Sequence, residues 1–152
     1  MNLMDNPAFI SGKTNPKATT IAYWIVTALF CLEMSFTAYY ELLVLPQAAE
    51  AFTRLGFPAG YFRVELSWAK VLGVLALIVP WRPARVNIWI KEWAYAGFAI
   101  NLVSAIIAHL SIHDRPAALA PSSITSVLLV LSYYFWRRLQ TAWEACHPDD
   151  RS

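Results

Sequence analysis

The chain has 152 residues, 58% hydrophobic and 14% charged, and with a mean hydropathy of +0.44 it carries more apolar surface than a soluble domain of this size can bury. Twelve basic and ten acidic residues leave a net charge of +2, with no basic cluster longer than Arg137-Arg138, so nucleic-acid binding lacks its electrostatic footprint. Two cysteines, Cys31 and Cys146, supply neither a disulfide framework nor a four-ligand zinc site.

Residues 1–17 contain Asp5, Asn15, Pro16 and two lysines and read as a polar N-terminal tail. The apolar run from Thr19 to Leu45 is too long for a signal-peptide core and lacks a small-residue cleavage pattern, so it reads as an uncleaved first helix. A helix crosses the ~30 Å hydrocarbon layer with about 20 residues at ~1.5 Å rise each. The segments Tyr61 to Val79, Ile88 to Ile112 and Leu119 to Trp136 have that reach as well. Between the first two spans, Pro46 can open a helix and Gly56 and Pro58 can close it. Leu45, Ala48, Ala49, Phe52 and Leu55 recur there at helical spacing, which predicts a short amphipathic helix on the outer surface, with an ordered loop as the alternative. The expected architecture is all-α: a four-transmembrane-helix bundle over residues 18–139, a short amphipathic helix between helices 1 and 2, and a C-terminal tail over residues 140–152.

Short-loop cations set the orientation. Lys13, Lys17, Arg82, Arg85, Lys91, Arg137 and Arg138 fall on one side, against Arg54, Arg63 and Arg115 on the other, which places both termini in the cytoplasm. Trp24, Trp81, Trp89, Trp93 and Trp136 fall near the same cytoplasmic ends, as an interfacial aromatic belt would.

Ionisable residues inside the spans carry the functional signal, because each costs roughly 2.5–3.5 kcal/mol to insert and so faces the bundle interior with a partner. Counting along the helices puts Glu33 and Lys70 at nearly the same depth, about 12–13 Å below the outer surface, and predicts that they form an ion pair. Asn101 joins this middle layer from the third span. Gly97, Asn101, Ser104 and Ala108 recur at spacings of four, three and four, a small-residue stripe that permits close helix approach. Glu41, Glu65 and His109 lie higher, and Glu33, Thr37 and Glu41 follow one another on one helix face, so a polar track leads from the middle layer to an outer mouth. His109 and His113 have the spacing of a metal-binding pair but no general-base glutamate between them, and no metal site is assigned. One or two histidines give no ground for haem.

At these residues the sequence resembles a known family. Trp68-Ala69-Lys70-Val71-Leu72-Gly73, Lys91-Glu92-Trp93-Ala94-Tyr95-Ala96-Gly97-Phe98, the stretch from Ser104 to Asp114 with His109-Leu110, and Phe52-Thr53-Arg54-Leu55-Gly56-Phe57-Pro58 are similar in order and spacing to the DoxX-like family of small four-helix bacterial membrane proteins. The resemblance covers about Ile21 to Arg137 and puts Lys70, Glu92 and His109 in recurring family motifs. It departs at Asn101, where an acidic residue is expected in many relatives. The resemblance implies a multi-pass protein of the bacterial inner membrane, with some relatives linked to quinone-dependent sulfur oxidation or membrane oxidoreductase complexes.

Three functional readings stay open. In the first, an accessory subunit binds a quinone or another lipophilic molecule through Lys70 or His109, with Glu33, Asn101 and Trp68 at the pocket, and docks a membrane-associated oxidoreductase. In the second, a self-contained isomerase or hydrolase acts on an apolar substrate with Glu41, Glu65 or His109 as acid or base. In the third, the protein has a structural, assembly or small-transporter role, and self-association is open in all three.

Overall fold

The computed structural model describes residues 16–43, 46–57, 60–79 and 84–146, and every regular element among them is helical. Helix α1 spans Pro16–Leu42, α2 Pro46–Arg54, α3 Tyr61–Ile78, α4 Ala84–Ser111 and α5 Pro116–Cys146. Helices α1, α2 and α5 begin with proline, whose fixed φ suits a first turn and whose missing N–H removes a donor that would have no partner there. The sequence places the amphipathic segment correctly as α2. Helix α5 runs well past the expected end at Trp136, so the first residues of the expected C-terminal tail are helical. Of the expected N-terminal tail over residues 1–17, Pro16 and Lys17 open α1, while residues 1–15 lie outside the described residues, as do Trp81 and Arg82.

The four long helices form a ring. Helix α1 packs on α3 and α5, and α4 packs on the same two. The half of the ring farther from α2 is a dry core built from Tyr23, Phe30, Leu77, Tyr95, Phe98 and Trp136. Within it, Thr27 and Tyr95 both meet the Ser132 hydroxyl, at 2.7 and 2.8 Å, so three helices are tied by hydroxyls that would otherwise be buried without partners. Tyr95 stacks on Trp136 at a centroid distance of 5.5 Å.

The outside of the ring is apolar. Leu32, Leu72, Ile100 and Val130 are exposed, a surface that suits lipid and not water. Three helical segments are long and apolar enough to cross a membrane: Lys17–Leu42, Val86–Ser111 and Pro116–Glu144. Helix α3 is 18 residues long and carries three charges, Arg63, Glu65 and Lys70, a higher density than any 18-residue stretch that qualifies those three segments.

Two helix ends position the site. Helix α2 closes with Gly56 at φ +79°, while the Phe57 N–H reaches the Phe52 carbonyl at 2.9 Å and the Gly56 N–H reaches Thr53 at 3.0 Å. This is a Schellman end, completed by the ring contact between Phe52 and Phe57. Helix α4 ends the same way, but with His113 in the left-handed position at φ 51°. The Asp114 N–H bonds the His109 carbonyl and the His113 N–H bonds Leu110, both at 3.1 Å.

Candidate functional site

The half of the ring nearer α2 is hollow. A cavity of about 650 Å³ lies among the four long helices, within the size range of small-molecule sites. Its wall on α1 is Glu33, Thr37 and Glu41, the i, i+4, i+8 face read from the sequence. Lys70 closes it from α3, Asn101 and Ser104 from α4, and Ser122 and Thr125 from α5. Apolar side chains of α2 and the adjoining segments, Phe52, Leu55, Phe57 and Phe62, line the end under α2, and Phe57 stacks on Phe62 at 5.3 Å.

The ion pair inside this cavity differs from the expected one. The Lys70 ammonium donates to Glu41 Oε1 at 2.6 Å, and the Ser67 hydroxyl reaches Glu41 Oε2 at 3.0 Å. Glu33 instead meets the Thr125 hydroxyl of α5, and no cation pairs with it among the described residues. Depth counted from the span boundaries misplaced α3 relative to α1, because packing sets the register between helices. Ser67 and Lys70, one turn apart on α3, both meet Glu41, which sits one residue from the end of α1. Helix α3 therefore starts roughly 9 Å beyond the level of Glu41, by the ~1.5 Å rise over six residues. Glu33, Lys70 and Asn101 still share one cavity, as the middle layer required.

Lys70 is only 8% exposed. Its ammonium has three N–H donors and Glu41 takes one, so two are without a protein acceptor among the described residues. Asn101, facing the same cavity from α4, makes no hydrogen bond among the described residues.

Other expected site residues lie elsewhere. Trp68 is 55% exposed on the outer face and does not line the cavity, since it follows the buried Ser67 by one residue and so points away from the bundle. Glu65, three residues before Trp68 and so on the same helix face, is exposed as well. His109 is turned toward the α4–α5 turn, where its Nδ1 lies 2.8 Å from Asp114 Oδ2, and Arg54 from α2 reaches the same oxygen at 2.5 Å. The acid–base set of Glu41, Glu65 and His109 is thus not gathered in one place. His113 is exposed beside this cluster, and no group of three or more metal-ligating side chains occurs among the described residues.

The Asp114 carboxyl, in the turn outside the helices, is held below the usual carboxylate range, first by its hydrogen bond with His109, then by the Arg115 N–H and the Arg54 charge. The three side chains latch the end of α2 to the end of α4, and so hold the apolar residues of α2 over the cavity. The sequence exposed both charges, Arg54 and Asp114, but gave no sign that sixty positions apart they would meet.

The small-residue stripe on α4 also acts differently from expectation. A side chain added at Gly97 would meet nothing within 4 Å, and Gly97, Asn101 and Ser104 line the cavity, so only Ala108 of the four is buried. The close approach of helices occurs at Gly73 of α3. There a Cβ would lie 2.6 Å from Phe98 Cζ, whose ring packs edge-on against Phe30 at 4.9 Å.

A ring of helices that is apolar outside, packed at one end and hollow with an ion pair at the other defines a membrane protein with an interior cavity. The sequence matches the DoxX-like family over residues 25–132, most of the chain, and the protein belongs to that family. No curated protein and no solved structure gives a significant match.

Proposed function

We propose that the protein is an accessory membrane subunit whose cavity binds a lipophilic molecule bearing acceptor oxygens, with a quinone as the class, and that it serves a membrane-associated oxidoreductase in the bacterial inner membrane. In this reading α3 also crosses the bilayer, giving four spans with both termini cytoplasmic. Eighteen residues at ~1.5 Å rise supply about 27 Å. Two of the three α3 charges, Arg63 and Lys70, are buried in the bundle; its outward side carries Trp68, Leu72 and Leu75, with the exposed Glu65 only about 6 Å from the start of the helix, where it can reach the membrane surface.

The observation that carries the ligand reading is the Lys70 ammonium, buried with two donors to spare, opposite the Asn101 amide in a largely apolar chamber. A quinone presents carbonyl acceptors on an apolar ring and satisfies both groups. Gentle purification followed by native mass spectrometry and absorbance should reveal bound quinone or a co-purifying oxidoreductase. Titration with 2,3-dimethoxy-5-methyl-1,4-benzoquinone, a head group without a tail, should show binding that Lys70→Met or Asn101→Leu weakens about tenfold, the scale of one lost charge-assisted hydrogen bond. A folded, ligand-free preparation that binds no quinone overturns the reading.

A second reading rests on Glu33, a carboxyl in the cavity wall held by a hydroxyl and not by a cation. It supports proton-coupled movement of a solute, which proton flux in liposomes, abolished by Glu33→Gln, would reveal.

A further inference from the structure

A second hollow of about 510 Å³ lies along the α3–α4 seam, on the outward side of the bundle. It is walled by small residues, Ala69, Gly73, Ala76 and Ala94, and flanked at its far end by Trp89 and Trp93, both strongly exposed. Four residues, Leu66, Lys70, Gly97 and Asn101, line this groove and the interior cavity alike. The two spaces therefore adjoin where the unused Lys70 donors and the Asn101 amide lie. From Asn101 to Trp89 the groove runs about 18 Å along α4, twelve residues at ~1.5 Å each. Its wall is almost wholly apolar apart from Lys70 and Asn101, and the absence of side-chain bulk at Gly97 keeps the junction open, since an added Cβ there meets no atom within 4 Å.

We infer that the α3–α4 groove is a tail subsite continuous with the cavity: the ligand is an amphiphile whose oxygen-bearing head bonds Lys70 and Asn101 while its alkyl chain leaves the bundle sideways, past Gly97 and along Ala69, Leu72 and Trp93. This rests on the head-group reading above and adds a prediction that the head-group reading does not make. The groove selects for a chain of sufficient length and gives the ligand a route into the site directly from the bilayer, without lifting α2.

Two probes separate the readings: the tail-less benzoquinone and its decyl derivative. The decyl probe should bind the wild-type protein about tenfold more tightly or better, since buried methylenes add affinity. Ala69→Phe and Leu72→Trp fill the groove from exposed positions, and in either variant the decyl advantage should shrink toward unity with tail-less binding unchanged. A decyl derivative carrying a terminal diazirine, photolysed on the wild-type protein, should label Trp89 and Trp93. Equal wild-type affinity for the two probes overturns the tail subsite and leaves the head-group reading standing. A decyl advantage that survives in both folded variants, or label spread evenly over all exposed helix faces, means contact with surrounding lipid only and overturns it too. If neither probe binds, the head-group reading fails and the tail subsite fails with it.

Discussion

The Glu41–Lys70 pair shows how much one buried contact decides. Each charge alone is expensive in a membrane interior, and together they neutralise each other, with Ser67 satisfying a second carboxylate oxygen. Glu41→Ala leaves the ammonium without its counter-ion and should destabilise the protein by about 3–5 kcal/mol. The double variant Glu41→Gln with Lys70→Met should recover most of that loss, as thermal melts in detergent would show. That charges within the spans need partners was legible from composition alone. Which carboxylate Lys70 takes was not, because Glu33 and Glu41 occupy the same face of α1 and differ only in height. At the end of α4, His113 holds a backbone conformation that suits glycine. His113→Gly should therefore raise stability by about 0.5–1 kcal/mol, and a lower melting temperature would mean that the imidazole contributes something its exposed position does not suggest.

Helix ends and helix contacts account for the next level. Helix α2 is held by its glycine-closed end and by Arg54 reaching Asp114, so the cover of the cavity depends on a turn that joins two other helices. Asp114 ionises more readily in the folded protein than in the unfolded chain, so its contribution to stability is complete above the ordinary carboxylate range, near pH 4. It is lost as the pH falls through the lower folded value. The difference in stability between the wild type and Asp114→Asn should shrink as the pH falls below about 4. Hydrogen exchange in α2 should quicken over the same acid interval. The α3–α4 contact turns on Gly73, whose missing side chain admits Phe98. Gly73→Ala should cost about 1–3 kcal/mol, and Phe98→Leu in the same chain should relieve part of that, a coupling that a double-mutant cycle measures. The sequence marked α2 through its Pro and Gly punctuation, but it pointed to the α4 stripe as the packing surface. Both stripes have small residues at helical spacing, and only the facing side chain distinguishes a packed glycine from one that lines a hollow.

At the scale of the whole molecule, the ring order α1, α3, α4, α5 makes a bundle in which each long helix has two neighbours and turns apolar side chains outward. If α3 crosses as proposed, a cysteine introduced in the loop around residue 82 should be shielded from a membrane-impermeant reagent in intact cells, while one at residue 113 should react. Reaction at residue 82 with residue 113 shielded would place α3 on the surface, since α4 separates the two positions in either case. Composition and helical periodicity determined, without any structure, that the chain is an all-helical membrane protein, roughly where its helices lie and that charged residues inside the spans need partners in the interior. These follow from local properties, since the cost of exposing backbone and charge to hydrocarbon is set residue by residue. Only the tertiary structure decided that Lys70 takes Glu41, that Arg54 and His109 share Asp114, and that one half of the ring is filled while the other is hollow. Those outcomes depend on the axial register of helices distant in sequence and on which side chains meet across the seam, and neither is encoded in the spacing along any one helix.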